Sequence, residues 1–333
     1  MRIVPNYCQH PDYWNPGIHL LYVGDRFRLD PYREAIRQAV RPGMVVADIG
    51  TGSGPLARFA AEAGASRVYG IEQYREILRY AERFNQTEGI DHVIKLVHGD
   101  SRSVSLDERV DVIVAELISS LGNDEAMSDI LEDARKRFLK PGGTVIPSRV
   151  DVFISPVNAP EAHGQIPSVY RDDVIVEPRK GFSPFATYYQ FFGLPPERLL
   201  AAERLLDSIN LMRHSPRAYE RQLHFDCGGE GTFSGFAGWF NAALTNRVTL
   251  DTSPRAPQTC WGQAFFAVRE QVPVQKHDTI ELTFLAEVPH GSDRPFYRWE
   301  GAVARGARTL SRFSESSAAS HIHSAAAKVV SAR

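Results

Sequence analysis

Cysteine is scarce in this sequence, and the few cysteines form no pattern. The 333 residues include three cysteines, Cys8, Cys227 and Cys260, which lie far apart in the chain. A structural zinc site needs closely spaced ligand pairs, and a small disulfide-stapled domain needs many more cysteines. The sequence therefore predicts a reduced, cytoplasmic protein without structural disulfides and without a metal site.

Long apolar runs and a strong charge imbalance are also missing. No stretch approaches the ~20 apolar residues of a membrane-spanning helix, and the N-terminus lacks the apolar core of a secretory signal. The formal net charge is -2, so neither nucleic acid nor an anionic membrane would attract the chain over long distances. We therefore expect neither nucleic acid nor a membrane among its partners.

Strand and helix signals alternate over residues 43–148, and their character changes afterwards. The alternation predicts a parallel sheet with helices on both faces. Over residues 149–311, short alternating apolar runs separated by turn residues predict antiparallel β structure. The predicted fold class is α/β, with a Rossmann-like sheet followed by an antiparallel β-barrel-like domain.

Three segments fall outside this two-domain pattern. Residues 1–42 contain a helix signal with Asp30 as its cap and are predicted to form a helical lid segment. An insertion at about 158–222 includes a helix predicted at Glu197–Ile209. Residues 312–333 are rich in Ser and Ala and predict a flexible tail.

The segment 44–73 is the most informative part of the chain. An apolar run containing Asp48 leads into a glycine cluster and an alanine-rich helical stretch, and a second apolar run ends in Glu72. Strand, glycine turn, helix, strand and terminal carboxylate describe a nucleotide-binding crossover, in which the carboxylate can accept both ribose hydroxyls. The glycines of the cluster are Gly50, Gly52 and Gly54.

The spacing of these glycines separates two classes of cofactor. A dinucleotide fingerprint needs its third glycine one position after Gly54, where this chain has Pro55. Glycine at alternate positions, preceded by Asp48, resembles motif I of the methyltransferases that use S-adenosylmethionine (SAM). The resemblance implies SAM as cofactor and S-adenosylhomocysteine as product. A nicotinamide dehydrogenase and a strand–turn–helix without ligand are the alternatives.

Two glutamates flank the loop that follows the strand predicted at Val110–Ala115. Glu116 comes directly after the strand, and Glu125 stands near the start of the next helix. Because ligands bind at the carboxyl ends of parallel strands, Glu116 is expected in the crevice, and the loop can fold to bring Glu125 beside it. Two such carboxylates favour a cation, and a guanidinium can donate paired hydrogen bonds to each. By spacing alone, a helix-start charge and a solvated strand-end charge are the alternative.

The block from Asp111 to Pro147 resembles the acidic loop and following helix of the protein arginine methyltransferases. The likeness covers about residues 13–285 and implies transfer of a methyl group to a guanidino nitrogen of arginine, with Glu116 and Glu125 as catalytic residues. The insertion at 158–222 takes the place of the family's dimerisation arm, which implies a homodimer.

The resemblance assigns further residues to the cofactor and the substrate. Arg28 falls where the family binds the SAM carboxylate, and Cys260 replaces a histidine whose aspartate partner corresponds to Asp25. Gln9 and His10 stand where the family's lid motif opens with two aromatic residues. The residues placed at the cofactor, besides Asp48, the glycines and Glu72, are His19, Arg28 and Asp100, and those placed at the substrate are Tyr13, Met127, Cys260 and Trp261.

The arginine substrate can be a free amino acid or a residue of a protein. Members that bind peptides need an acidic surface to attract basic tails, whereas this chain is nearly balanced in charge. Together with the altered lid, this favours free L-arginine or a small guanidino metabolite, as in bacterial relatives that make nitroso natural products. Protein arginine is the alternative, and a non-catalytic SAM-binding scaffold is the alternative of another class.

Overall fold

The computed structural model describes residues 1–5, 21–166, 188–290 and 292–317. The predictions for Tyr13 and His19, and those for residues 318–333, lie outside this part of the chain. Within it, no helix is both long enough and apolar enough to cross a membrane.

The N-terminal segment contributes to both domains. Strand β1 (Arg2–Pro5) pairs antiparallel with residues 189–192 of the second domain, so these residues are not part of a helical segment. Helix α1 (Arg26–Ala39) begins after Asp25, whose carboxylate accepts a hydrogen bond from the Arg28 backbone N–H at 3.1 Å. The predicted cap at Asp30 is therefore wrong, because a carboxylate five positions earlier already satisfies the first turn.

A five-stranded parallel sheet forms the core of the first domain, as the sequence predicted. Its strands are β2 (Val45–Ile49), β3 (Arg67–Glu72), β4 (Ile94–His98), β5 (Val110–Ala115) and β6 (Leu139–Ile146). They lie in the order β4-β3-β2-β5-β6. The order reverses between β2 and β5, so a ligand crevice opens at their carboxyl ends.

Three helices alternate with these strands. They are α2 (Pro55–Glu62), α3 (Arg75–Glu88) and α4 (Met127–Phe138). Helix α4 buries Met127, Leu131, Ala134 and Phe138, which recur at helical spacing on one face. The helix predicted after the acidic loop is thus present, and its first residue closes that loop.

The second domain consists of two antiparallel sheets. Its strands are β7 (Arg149–Asn158), β8 (Tyr189–Phe192), β9 (Arg204–Asn210), β10 (Tyr219–Asp226), β11 (Gly231–Ala243), β12 (Thr249–Asp251), β13 (Gln263–Val274), β14 (Thr279–Glu287), β15 (Phe296–Arg305) and β16 (Arg308–Ser316), and a short helix α5 (Pro160–His163) follows β7. A seven-stranded sheet runs β1-β8-β13-β11-β7-β9, with β12 beside β11, and a four-stranded sheet runs β10-β14-β15-β16. This β-barrel-like domain confirms the predicted fold class.

The helix predicted at Glu197–Ile209 is wrong. After one 3-10 turn at Pro196–Arg198, the chain forms β9, which pairs with the edge of β7. Leu206 is buried and its neighbour Leu205 is 50% exposed, which is the alternation of a strand with one covered face. The spacing of the apolar residues in this segment fits both a helix and a strand. The segment forms a strand because it pairs with the edge of β7. Of the insertion predicted at 158–222, residues 189–192, 204–210 and 219–222 are therefore strands of the domain itself.

The predicted tail also begins too early. Residues 312–316 belong to β16, where Phe313 packs against Phe233 and Phe236 with ring centroids 5.6 and 5.7 Å apart. The single aromatic side chain of Phe313 anchors this strand. Because its neighbours are rich in Ser, the composition of the segment does not indicate a strand.

Candidate active site

A cleft of about 380 Å³ lies between the two domains. On the side of the parallel sheet, the carboxyl ends of four strands line it with residues 49–53, 71–74, 99–102 and 116–118. The side of the second domain contributes Cys260, Trp261, Asp293 and Arg294. The cleft therefore sits where the strand order predicts a ligand, and the second domain closes its far wall.

The glycine loop presents its backbone to this cleft. Gly50 and Gly52 line it, and both adopt left-handed φ angles, of +72° and +55°. A Cβ atom on Gly50 would lie 2.7 Å from Cδ2 of Leu117, so a side chain would both strain the turn and crowd the next strand end. Gly54, with φ +85°, instead caps α2 and is not among the described residues that line the cleft.

Asp48 lies behind the loop and does not reach the cleft. Its Oδ2 accepts hydrogen bonds from Thr51 Oγ1 at 2.6 Å and from the Ala57 N–H at 3.0 Å. Burial raises the pKa of Asp48 to about 7, although these two donors act in the opposite direction. Asp48 is not among the described residues that line the cleft, and its carboxyl holds the shape of the loop, so its place at the cofactor stays a prediction.

Glu72 stands at the end of β3, inside the cleft. Its two oxygens accept the backbone N–H groups of Gly52 at 3.0 Å and Tyr74 at 2.9 Å. Burial raises the pKa of Glu72, and these backbone donors partly offset that rise. A carboxylate fixed in this way beside the glycine loop is oriented to accept hydroxyl donors from a ligand.

Asp100 also lines the cleft, but it belongs to an ion-pair network. Its carboxylate pairs with Arg102 at 2.7 Å, and Arg102 reaches across to Asp293 of the second domain at 3.2 Å. Hydrogen bonds from Arg102 lower the pKa of Asp100. The network places Asp100 at the seam between the two domains.

Glu116 and Arg28 form a buried ion pair in the cleft. Nε of Arg28 donates to Oε2 of Glu116 at 2.9 Å, and Nη2 donates to the same oxygen. The rings of Tyr22 and Trp261 flank the guanidinium, with centroids 5.1 and 5.6 Å from Cζ. Burial alone would lower the pKa of Arg28, but the charge of Glu116 and its hydrogen bonds outweigh this and raise it. Glu116 thus already receives an arginine side chain in the manner proposed for a substrate.

Glu125 lines the same cleft as Glu116, so the loop does fold back on itself. Side chains of the second domain hold this loop: Nε1 of Trp261 donates to the Ile118 carbonyl at 2.6 Å, and Oγ of Ser120 donates to the Trp261 carbonyl at 3.0 Å. Next to Glu125, the buried carboxylate of Asp124 accepts hydrogen bonds from two tyrosine hydroxyls. Asp124 was not predicted as a site residue, because its place in the loop is the only signal that it carries in the sequence.

The remaining residues assigned to the substrate divide into two groups. Trp261 and Cys260 line the cleft, whereas Met127 is fully buried at the start of α4 and is not among its described lining residues. The Cys260 N–H donates to Oδ2 of Asp25 at 2.7 Å, and the Cys260 thiol is also hydrogen-bonded to Asp25. Burial raises the pKa of the Cys260 thiol, which keeps it neutral. Among the described residues, His, Cys, Asp and Glu side chains form no cluster suited to a metal.

Comparisons with known proteins define the class first. The sequence model described as "Methyltransferase domain" matches residues 46–143, and the one described as "Arginine methyltransferase oligomerization subdomain" matches residues 186–294. Among solved structures, protein arginine methyltransferase 10 of Arabidopsis thaliana has a TM-score of 0.77 at 22% identity, covering 91% of this chain and 98% of that one. The Trypanosoma brucei PRMT1 enzyme-prozyme complex with AdoHcy has a TM-score of 0.78 at 19% identity, covering 92% and 98%. The fold is that of these enzymes.

Sequence relatives then give the family. Probable protein arginine N-methyltransferase 6 of Arabidopsis thaliana is 35% identical over an alignment of 317 residues that covers 81% of this chain and 72% of the relative. Protein arginine N-methyltransferase 6 of Xenopus laevis is 28% identical over 282 residues, covering 80% and 83%. The chain belongs to the protein arginine methyltransferase family. It is a SAM-dependent arginine N-methyltransferase, and the dehydrogenase and scaffold alternatives are set aside.

The residues of the cleft fit SAM as the cofactor. The glycine loop leaves no room for a side chain at Gly50, and Glu72 is held by two backbone N–H groups beside it. These features match a ligand that brings a ribose and lies against backbone. When bound, SAM supplies the sulfonium methyl group for transfer.

Proposed function

We propose that this enzyme methylates arginine side chains of proteins, with Glu116 and Glu125 holding the substrate guanidinium. The observation that carries the proposal is that both carboxylates line one cleft with the glycine loop. The relatives named above support a protein substrate over the free L-arginine that charge balance favoured. The place in natural product biosynthesis, which depended on that substrate, has no support from them.

The chemistry proposed for the two glutamates is positioning and electrostatic stabilisation. An arginine side chain has a pKa of roughly 12.5–13.8, so it arrives charged and weakly nucleophilic. Carboxylates on two edges would hold the positive charge away from the reacting nitrogen and orient that nitrogen towards the methyl group. The proton that the guanidinium loses goes to one of these carboxylates or to water.

Free L-arginine is the second candidate, because Arg294 brings a positive charge to the cleft, where that charge partly offsets the burial that raises the pKa of Asp124. The Arg294 guanidinium makes no ion pair or hydrogen bond with any residue that the structure describes, although Arg294 lines the same cleft as Glu125. Its backbone is fixed, since its N–H donates to Oγ of Ser292 at 3.0 Å. A cation so placed would suit the carboxylate of a free amino acid.

Mass spectrometry of the purified enzyme with SAM separates these substrates. We expect methylation of an arginine-glycine-rich peptide and loss of the product with Glu125→Gln. Glu62→Gln, on the exposed end of α2, is the matched control and should keep full activity. Methylation of free L-arginine alone, abolished by Arg294→Ala, would overturn the protein substrate.

We further propose a cytoplasmic homodimer. The match to an oligomerization subdomain supports assembly. The two cysteines that the structure describes, Cys227 and Cys260, are free thiols, which suits a reducing compartment. Light scattering of the purified protein should give twice the mass of the chain, and a monomer at all concentrations would contradict the assembly.

A further inference from the structure

Asp124 is a buried carboxylate enclosed by hydroxyl groups. It is 5% exposed, its Oδ2 accepts a hydrogen bond from the Tyr188 hydroxyl, and its Oδ1 accepts one from the Tyr297 hydroxyl. Its backbone N–H donates to Oγ of Ser119 at 3.1 Å. A buried carboxylate needs such donors, because an unsatisfied one would be strongly disfavoured in the interior.

The two tyrosines come from the two different sheets of the second domain. Tyr188 directly precedes β8 of the seven-stranded sheet, and Tyr297 lies in β15 of the four-stranded sheet. Their rings meet edge to face with centroids 5.8 Å apart, and both pack against Phe266, at 5.0 and 5.9 Å. Both rings are buried, so the aromatic core fixes where the two hydroxyls point.

Asp124 precedes Glu125 in the chain, and the residues on both sides of Glu125 are constrained. Ala126 adopts a left-handed φ of +59°. The Asn123 side chain bridges to Ser128, accepting its N–H at 3.0 Å and donating to its Oγ at 2.8 Å. The backbone of Glu125 therefore cannot shift without breaking a contact of Asp124 or of Asn123.

We propose that Tyr188 and Tyr297 are positioning residues for methyl transfer, because their hydroxyls fix Asp124 and thereby hold Glu125 in the cleft. The inference rests on the proposed role of Glu125. It gives the second domain a role in holding Glu125, although neither tyrosine is among the described residues that line the cleft. Removing a hydroxyl leaves a buried carboxylate short of a donor, and the adjacent residue moves to relieve it.

Steady-state kinetics of Tyr297→Phe provide the first test. We expect kcat/KM for the arginine substrate to fall by about tenfold to 100-fold, since small displacements of a positioning group have effects of this size. The dissociation constant of S-adenosylhomocysteine should stay unchanged. The matched control is Tyr69→Phe, which also removes a hydroxyl bonded to a carboxylate, Glu108 at 3.4 Å, but away from the cleft. Equal activity of the two variants would overturn the proposal.

A double-mutant cycle separates positioning from a general loss of structure. Glu125→Asp keeps the carboxylate but shortens the side chain, and it is the background for the cycle. If Tyr297 acts through Glu125, the variant Tyr297→Phe/Glu125→Asp should be no slower than Glu125→Asp alone. Losses that multiply would contradict the proposal. Should Tyr297→Phe fold poorly, Asp124→Asn keeps the shape of the site and replaces it in the cycle.

Amide hydrogen exchange tests the same inference without any substrate. Exchange in the loop 116–126 should rise in Tyr297→Phe and stay unchanged in Tyr69→Phe. An unchanged loop would overturn the positioning role even if the wild-type enzyme methylated no arginine. If the wild type methylated no arginine but exchange in the loop of Tyr297→Phe did rise, only the proposed function would be overturned.

Discussion

The two sides of the cleft are built in different ways. On the cofactor side, the glycine loop is held by Asp48 and Glu72, which lie in the strands on either side of it in the sequence. On the substrate side, the loop that carries Glu116 and Glu125 is held by Trp261 and two tyrosines from the second domain. The cofactor side is therefore encoded by one crossover unit, whereas the substrate side requires both domains to be folded and docked.

Because of this difference, the residues that hold the substrate side can be substituted separately from those that hold the cofactor side. The anchoring contacts of the acidic loop come from the second domain, whereas the glycine loop is held by Asp48 and Glu72 of the first. The buried pair of Arg28 and Glu116 is where the two sides meet, because it joins the N-terminal helix to the acidic loop. Substitutions on each side should accordingly have separable effects.

The largest effect is expected where the two sides meet. Glu116→Gln leaves the buried cation of Arg28 without its counter-charge, which should lower the free energy of unfolding by about 3 kcal/mol and also abolish methylation. Urea unfolding and a methyl-transfer assay measure the two losses.

An apolar replacement of the whole pair serves as the control. Arg28→Met/Glu116→Leu should recover most of the stability and none of the activity, because no buried charge is left unpaired. A double variant as unstable as Glu116→Gln would show that the ion pair itself, and not the orphaned cation, sets the stability.

A smaller effect is expected when a side chain is added to the glycine loop at Gly50. Gly50→Val places a β-branched residue at φ +72° and a Cβ near Leu117. A left-handed conformation costs such a residue roughly 1–2 kcal/mol, so stability should fall by about that amount and SAM binding by about tenfold. Calorimetric titration checks the binding. Gly229→Val, where the added Cβ meets nothing within 4 Å, should bind SAM like wild type.

The last prediction is a pH dependence of stability on the cofactor side alone, with no loss of activity attached to it. Burial raises the pKa of Asp48 from 3.8 to about 7, so the folded protein binds this proton more tightly than the unfolded chain. The contribution of Asp48 to the free energy of unfolding is fully present below pH 3.8 and is lost as the pH rises through about 7. Relative to Asp48→Asn, the wild type should lose up to about 1.4 kcal/mol for each pH unit in that window.

Urea unfolding across this pH window measures the Asp48 effect. Asp107→Asn is the control, because a hydrogen bond from Lys95 lowers the pKa of that exposed carboxyl and moves its titration below the window. Parallel stability curves for wild type and Asp48→Asn would mean that Asp48 titrates as it does in the unfolded chain.

The sequence predicted local structure correctly where a residue's role depends on its near neighbours. The strands of the parallel sheet and the glycine turn after the first of them follow from local patterns, as does the helix after the acidic loop. The prediction was wrong at Asp30, which gave way to the nearer cap Asp25, and at Glu197–Ile209, where an apolar spacing that fits two periods was decided by the edge of β7. Asp48 and Met127 are both buried behind the loops that they support, so their predicted places at the cofactor and the substrate stay predictions.

By itself, the sequence determined the cofactor half of this protein, because the contacts that shape a glycine turn span only a few residues and depend on backbone conformation. Tertiary structure alone decided how the acidic loop is held. Asp124, Tyr188 and Tyr297 are separated by up to 173 positions, and no local pattern relates them. They meet because a buried carboxylate must find donors wherever the packed domain can supply them.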